Sequence, residues 1–211
     1  MTKAETAWLA QAERQAKEPQ GSAKVLGDGS RIAVVGAGPA GSMFSYFFLS
    51  MAETVGLDVG VDIYEPRSFC HRGPAGCNHC GGIVSESLVQ RLATEGIRLP
   101  ADVVQRGIES YTLHMDVGDV EIATPLMEKR IAAVYRGNGP RESERLLTHS
   151  FDGHLLNLAL EKGATRIEQL VTDVQREDER MSVHCADLSN QSYDLVVLAT
   201  GVNSRLMAML E

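Results

Sequence analysis

The sequence predicts an α/β fold in which a parallel sheet carries a small antiparallel insert. A short apolar run, RIAVV, begins at Arg31, ends in glycines and is typical of a buried parallel strand. Apolar residues at helical spacing follow it, and a second apolar run, VGVDIY, comes after them. Strand, helix and strand in this order are the unit from which parallel sheets are built.

The composition is that of a globular chain with an acidic balance. Its 211 residues are 44% hydrophobic and 23% charged, with a formal net charge of -8. This balance argues against a nucleic-acid partner, because binding phosphates requires clustered Lys and Arg. No apolar run reaches the roughly 18 residues of a membrane span. Four cysteines without a signal-peptide pattern indicate a reducing compartment, so we expect a cytoplasmic chain, with peripheral membrane contact left open.

The first elements follow in a regular order. Residues 3–18 are predicted to form a helix, and residues 1–30 as a whole a helix and a linker. After the strand at Arg31, one face of the next helix is predicted to pack on the sheet. That face comprises Ala40, Met43, Phe44, Phe47, Phe48 and Met51. Pro66 ends the second strand.

The middle of the chain predicts a helix and an antiparallel patch. The run SESLVQRLATEG has Ser85 or Ser87 as its cap and Gly96 as its end. Alternating pieces over residues 106–135 predict short antiparallel strands. We interpret them as part of a substrate-domain insert at about 100–135.

The last third returns to the α/β pattern. The run FDGHLLNLALEKGA predicts a helix with Asp152 as its N-cap and Gly163 as its end. The runs RIEQLVTDVQ and MSVHCADL predict strands of a meander, and DLVVLATG predicts a buried strand. Residues 31–211 therefore form one predicted nucleotide-binding domain.

A glycine pattern marks the turn between the first strand and its helix. Gly36, Gly38 and Gly41 form G-x-G-x-x-G in the context that dinucleotide-binding loops require. The first glycine permits the tight turn, the second lets the backbone approach a pyrophosphate, and the third lets helix and strand pack closely. The N-terminus of the helix favours the phosphate charge.

An acidic residue ends the second strand at the expected place for a ribose contact. Glu65 follows Gly36 by 29 positions, more than the usual spacing of about 20. A carboxylate there accepts from both ribose hydroxyls and disfavours a 2′-phosphate. The pattern permits either NAD or FAD.

Four stretches resemble one family. They are VVGAGPAG with IYEPR, CGGIVSESLVQRL, VYR with FDGHLLNLALEKGA, and DLVVLATGVNS. From about Arg31 to Leu206 the chain resembles the geranylgeranyl-reductase-like FAD-dependent oxidoreductases, within the flavoproteins of the p-hydroxybenzoate hydroxylase type. The resemblance implies a Rossmann-like FAD/NAD(P)-binding domain with an inserted antiparallel β patch.

The resemblance also implies the cofactor contacts. Those to the pyrophosphate and adenosine fall on Gly36, Gly38, Pro39, Ala40, Gly41, Glu65 and Arg67, and the backbone of Val171 lies near the adenine. Cys80, Gly81 and Gly82 pass beside the flavin, and Gly201 ends the last strand. Arg136 contacts FAD, a role that Arg141 or Arg145 can hold instead. Thr200 stands where the family has an aspartate.

Cysteines and histidines crowd the loop after Glu65. They are Cys70, His71, Cys77, His79 and Cys80. Three interpretations stay open: a loop shaped by its glycines against the flavin, a redox pair formed by Cys77 and Cys80, and a metal site. The last is weakened because only one C-x-x-C is present, and we assign no metal ligand.

The function expected is that of the FAD-binding portion of an oxidoreductase. We predict reduction of carbon–carbon double bonds in an isoprenoid-like substrate, with NAD(P)H or a protein as electron donor. The alternatives are a monooxygenase, a dithiol or metal electron-transfer module, and an NAD-binding dehydrogenase domain. Resembled proteins continue with a further strand, a helix and a substrate sheet. We therefore expect a fragment or a split subunit whose partner is a second chain or a small hydrophobic substrate.

Overall fold

A computed structural model describes residues 25–67, 69, 82–101, 103–108, 110–123, 131–134, 150–187 and 189–201. In chain order its elements are β1 (Ser30–Val35), α1 (Pro39–Val55), β2 (Val59–Tyr64), β3 (Ile83–Ser85), α2 (Glu86–Thr94), β4 (Val104–Ile108), β5 (Ser110–Met115), β6 (Gly118–Ala123), β7 (Ile131–Val134), α3 (Phe151–Glu161), β8 (Thr165–Ile167), β9 (Val171–Glu177), β10 (Arg180–Cys185), β11 (Asn190–Tyr193) and β12 (Leu195–Leu198). The helix predicted over residues 3–18 lies outside the described residues.

A four-stranded parallel sheet forms the centre of the fold. Its strand order is β12-β1-β2-β8, so the chain crosses from one side of β1 to the other after β8. Ile32 and Val34 point from β1 into a core shared with α1 and α3. Ala33 and Val35 point the other way, into a core shared with the meander of β9, β10 and β11. The α/β prediction is confirmed, and both faces of the sheet are covered.

The meander begins later than its sequence pattern predicts. The run RIEQLVTDVQ forms two strands, of which β8 pairs in parallel with β2 and β9 pairs antiparallel with β10. The amide of Glu65 donates to the carbonyl of Ile167 at 3.0 Å, which extends the β2–β8 pairing by one bond. The end of β8 is therefore fixed beside the end of β2.

The face that α1 buries agrees only in part with the predicted one: Phe44 and Phe48 pack against the core under the sheet, but they are not its most buried residues. The buried residues are Gly41, Ser42, Ser45, Leu49 and Ala52, whereas Ala40 is exposed and the side chain of Met51 is 68% exposed. Small residues let the helix approach the sheet closely. The hydroxyls of Ser42 and Ser45 stay satisfied by donating to the carbonyls of Ala37 and Gly41, at 2.9 and 2.8 Å. Phe44, Phe47 and Phe48 flank this stripe and are half-buried.

Serines cap the other two helices. The Oγ of Ser85 accepts from the amide of Leu88 at 3.3 Å, so Ser85, one of the two predicted caps, is the N-cap of α2. For α3 the predicted cap was wrong, because the Oγ of Ser150 accepts from the amide of Gly153 at 3.0 Å. Asp152 lies inside the first turn and is buried. Gly163 follows α3 with a φ of +112°, as expected for a glycine that ends a helix.

The predicted antiparallel patch is present beside these layers. One sheet has the order β3-β7-β4, and β5 pairs with β6 as a hairpin. The side chains of Leu113, Val120 and Ile122 on this hairpin are about half exposed. No helix in the described part of the chain is long and apolar enough to cross a membrane.

Two buried tyrosines connect the parallel sheet to the meander. The hydroxyls of Tyr64 and Tyr193 lie 2.7 Å apart, and Tyr193 donates to Oδ2 of Asp62 at 2.9 Å. Arg31 donates to the same oxygen at 2.8 Å, and its guanidinium lies 4.8 Å from the centre of the Tyr193 ring. Burial raises the pKa of both phenols, and their mutual hydrogen bond raises that of Tyr193 further but lowers that of Tyr64.

We expect this pair of tyrosines to make the free energy of unfolding fall in alkaline solution. A raised pKa in the folded state means that the folded chain keeps protons which the unfolded chain releases above about pH 10. The stabilisation is complete below that pH and is lost as the pH rises toward the folded pKa. We expect the free energy of unfolding to drop by up to about 1.4 kcal/mol per pH unit for each tyrosine. Urea titrations at pH 8 to 11 test this, and Tyr193→Phe should flatten the dependence.

Candidate nucleotide-binding site

The loop between β1 and α1 packs closely against backbone atoms at both of its ends. The amide of Gly36 donates to the carbonyl of Tyr64 at 2.9 Å, and its φ is +103°. A Cβ at Gly36 would lie 2.5 Å from the carbonyl oxygen of Ala199. A Cβ at Gly41 would lie 1.9 Å from the carbonyl oxygen of Gly36. The protein's own packing therefore requires the first and third glycines of the pattern.

The middle glycine is different. A Cβ added at Gly38 meets nothing within 4 Å, and its φ of -62° is accessible to any residue. Gly38 is also the N-cap of α1, without a side-chain cap hydrogen bond, and Pro39 and Ala40 form the first turn. No acidic side chain lies in that turn. The open space at Gly38 therefore lies at the N-terminus of α1, where the helix dipole and the free amides favour an anion.

Glu65 is the buried carboxylate of this site. Its exposed fraction is 1%, and it lies directly after β2. Its Oε2 accepts from the amide of Ala37 at 3.2 Å and from Nη2 of Arg67 at 3.2 Å. Its Oε1 accepts from the amide and Nε of Arg67, at 3.1 and 2.9 Å. These four bonds fill the acceptor positions of a carboxylate.

Arg67 covers that carboxylate from the solvent side. Its side chain is 45% exposed, against 2% for the side chain of Glu65. The hydrogen bond to Glu65 raises the pKa of the Arg67 guanidinium, so Arg67 keeps its positive charge beside this carboxylate. A ribose hydroxyl can reach Glu65 only by replacing part of the Arg67 side chain. The sequence alone places these two residues together but does not show that they are paired.

The other strand ends lie at the same edge of the sheet. The amide of Ala199, after β12, donates to the carbonyl of Val35 at 2.9 Å. Gly201 follows with a φ of +74° and open space around it. Val171 begins β9 of the separate meander sheet, with its side chain buried in the core between the meander and the parallel sheet. Ligands of open α/β sheets bind at such a carboxyl edge, next to a change in strand order.

Several predicted site residues lie outside the described residues. They are Cys70, Cys77, Cys80, Gly81, Arg136, Arg141 and Arg145. Gly82 is described: it is buried and precedes β3 with a φ of +68°. Within the described ranges no group of His, Cys, Asp or Glu could hold a metal ion. The three interpretations of the cysteine loop therefore stay predictions.

One contributor to the site has no sequence signal. Arg166, in β8, donates from Nη2 to the carbonyl of Arg67 at 2.9 Å and from Nε to the carbonyl of Glu65 at 3.3 Å. An arginine in a short strand looks like an ordinary surface residue. Only the pairing of β8 with β2 brings Arg166 to this loop, where it bonds Glu65, a residue 101 positions away in sequence.

An open groove of about 620 Å³ lies at the other end of the sheet. It runs between the ends of α1 and α3, where Glu53 and Lys162 form an ion pair. None of the predicted site residues lines it. The groove therefore has no part in the candidate site.

No family model and no curated protein matches the sequence. Solved structures match the fold. The halogenase PltM in complex with phloroglucinol and FAD has a TM-score of 0.59 at 14% identity, over 86% of this chain and 36% of that one. The flavin-dependent brominase Bmp2 has a TM-score of 0.58 at 19% identity, over 82% of this chain and 38% of that one. The Diels-Alderase PyrE3 has a TM-score of 0.52 at 16% identity, over 82% and 32%.

These likenesses establish the fold. The chain has a Rossmann-like α/β fold that is shared with a halogenase in complex with FAD and with a flavin-dependent brominase. It spans about a third of the length of the similar structures. The resemblance to geranylgeranyl-reductase-like proteins is not confirmed by them and stays a prediction.

Proposed function

We propose that this chain is the FAD-binding portion of a flavin-dependent oxidoreductase. The observation that carries the proposal is the open space at Gly38, between two glycines that the chain's own packing requires and beside the buried carboxylate of Glu65. A glycine that nothing in the protein demands is explained by a ligand that approaches its backbone. The fold shared with a halogenase in complex with FAD supports the same cofactor.

The residues present fit a dinucleotide. The amides of Gly38, Ala40 and Gly41 at the N-terminus of α1 would face the pyrophosphate, because those of Gly36 and Ala37 are bonded to Tyr64 and Glu65. The ribose hydroxyls would take acceptor positions at Glu65 that Arg67 now holds, and the released guanidinium would lie beside the phosphates. FAD, when bound, would supply the transfer of a hydride or an electron.

Glu65 also limits which nucleotide fits. A 2′-phosphate would bring two further negative charges against a carboxylate with an exposed fraction of 1%. We therefore propose that FAD is bound and that NADP is not. If NAD(P)H is the electron donor, it would bind at a different site. The further contacts that we propose for FAD are Cys80, Gly81, Gly82, Arg136, Val171 and Gly201.

The reaction proposed is the reduction of carbon–carbon double bonds in a small hydrophobic substrate. A monooxygenase-type reaction fits equally well, because the similar structures include a flavin-dependent brominase. The half-exposed apolar side chains of the β5–β6 hairpin support a hydrophobic substrate. They lie in the insert that the sequence assigns to substrate binding.

Titration of the purified chain with FAD tests the proposal. We expect one FAD per chain, with the flavin absorbance bands retained after gel filtration. Binding of NADH without any flavin would favour the dehydrogenase alternative. One metal ion per chain, or a reversible disulfide between Cys77 and Cys80 in a chain that binds no FAD, would favour the electron-transfer module.

A further inference from the structure

Arg166 clamps the short loop that carries the Glu65 carboxylate. Its two bonds reach the carbonyls of Glu65 and Arg67, the residues on either side of Pro66. The side chain is 23% exposed, and its Nη1 lies 3.1 Å from Oε1 of Glu168. One guanidinium therefore connects β8 to both peptide carbonyls that flank the proline.

The loop needs such a clamp because its own backbone has few bonds to offer. Pro66 has no amide hydrogen, so it cannot donate to a neighbouring strand. The amide of Arg67 is used for Oε1 of Glu65 rather than for a strand. Besides Arg166, the bond from the Glu65 amide to Ile167 holds the start of the loop, and nothing equivalent holds its end among the described residues.

We infer that Arg166 is a positioning residue for the ribose subsite, an inference that rests on the proposed dinucleotide function. The guanidinium fixes the carbonyls of Glu65 and Arg67 and so aims the Glu65 carboxylate at the loop after β1. Its planar group donates to the two carbonyls from two separate nitrogens, Nε and Nη2, whereas lysine donates from a single nitrogen. The ligand group it serves is the 2′-hydroxyl of an adenosine diphosphate moiety, which it does not touch.

The test compares two probes, ADP and 2′-deoxy-ADP, by isothermal titration of the 211-residue chain. The wild-type chain should prefer ADP. Arg166→Met keeps the aliphatic stem and removes the donors, and it should weaken ADP about tenfold while leaving 2′-deoxy-ADP nearly unchanged. Arg166→Lys should recover only part of the loss.

A matched control comes from a second arginine that bonds a loop carbonyl. Nε of Arg176 donates to the carbonyl of Asp178 at 3.3 Å, in the turn between β9 and β10. Arg176→Met should leave both affinities unchanged. Equal weakening of ADP and 2′-deoxy-ADP by Arg166→Met would overturn the inference, as would full recovery by lysine. Failure of the wild-type chain to bind FAD or ADP would instead overturn the proposed function, and the inference with it.

Discussion

Replacing Gly41 with alanine should lower the free energy of unfolding by about 3 kcal/mol. The added Cβ would lie 1.9 Å from the carbonyl oxygen of Gly36 and 3.2 Å from the Cβ of Ala199. That carbonyl cannot retreat easily, because Gly36 is bonded to Tyr64 and packed against Ala199. Relief therefore requires α1 to move away from the sheet. Urea denaturation followed by circular dichroism measures the loss.

The same substitution at Gly38 is the matched control. Nothing lies within 4 Å of its added Cβ, and its φ of -62° suits alanine. The free energy of unfolding should change by less than about 1 kcal/mol, because the lower chain entropy of alanine is offset by its poor fit to an N-cap position. Affinity for FAD should nevertheless fall at least about tenfold, because the methyl group occupies the approach of the pyrophosphate. A Gly38→Ala chain that binds FAD like the wild type would contradict the proposed cradle.

This pair of glycines shows what a pattern can predict. The spacing of Gly36, Gly38 and Gly41 between a strand and a helix indicates the turn, because each element has its own hydrophobic period. It does not distinguish a glycine required by packing from one required by a ligand. That distinction depends on Ala199, which reaches the loop only when β12 pairs with β1.

The errors have a common physical origin. The hydrophobic period assigned the large residues of α1 to its buried face, but these pack at the sides of that face, and close approach to the sheet selects Gly41, Ser42 and Ser45 for its centre. Hydroxyls that bond to carbonyls of the preceding turn cost little when buried. Asp152 and Ser150 are both acceptable caps by residue type, and only backbone geometry separates them. Local patterns fix the elements, whereas partners distant in sequence fix their faces and the polar contacts of the site.

Glu65→Gln is the most informative change at the ribose subsite, because this carboxylate bonds both to the loop after β1 and to Arg67. Glutamine keeps the shape, but its amide group would face donors from Ala37 or Arg67 at one of the two acceptor positions. With an exposed fraction of 1%, that position has no water to compensate, so stability should fall by about 2 kcal/mol. FAD affinity should fall by at least about tenfold, since one ribose hydroxyl loses its acceptor. Denaturation and flavin titration of one preparation measure both effects.

Glu168→Gln is the control for Glu65→Gln, because it removes a negative charge from an exposed side chain rather than from a buried one. Glu168 pairs with Arg166 at 3.1 Å, but its side chain is 70% exposed. An exposed ion pair contributes about 0.5 kcal/mol or less, so this variant should match the wild type in stability and in FAD affinity. If Glu65→Gln lowered stability and left FAD affinity intact, the carboxylate would serve only to join the β1 and β2 loops. If Glu65→Gln lowers both stability and FAD affinity and Glu168→Gln lowers neither, the hydrogen bonds of Glu65 that stabilise the fold also hold the carboxylate in position for the ribose.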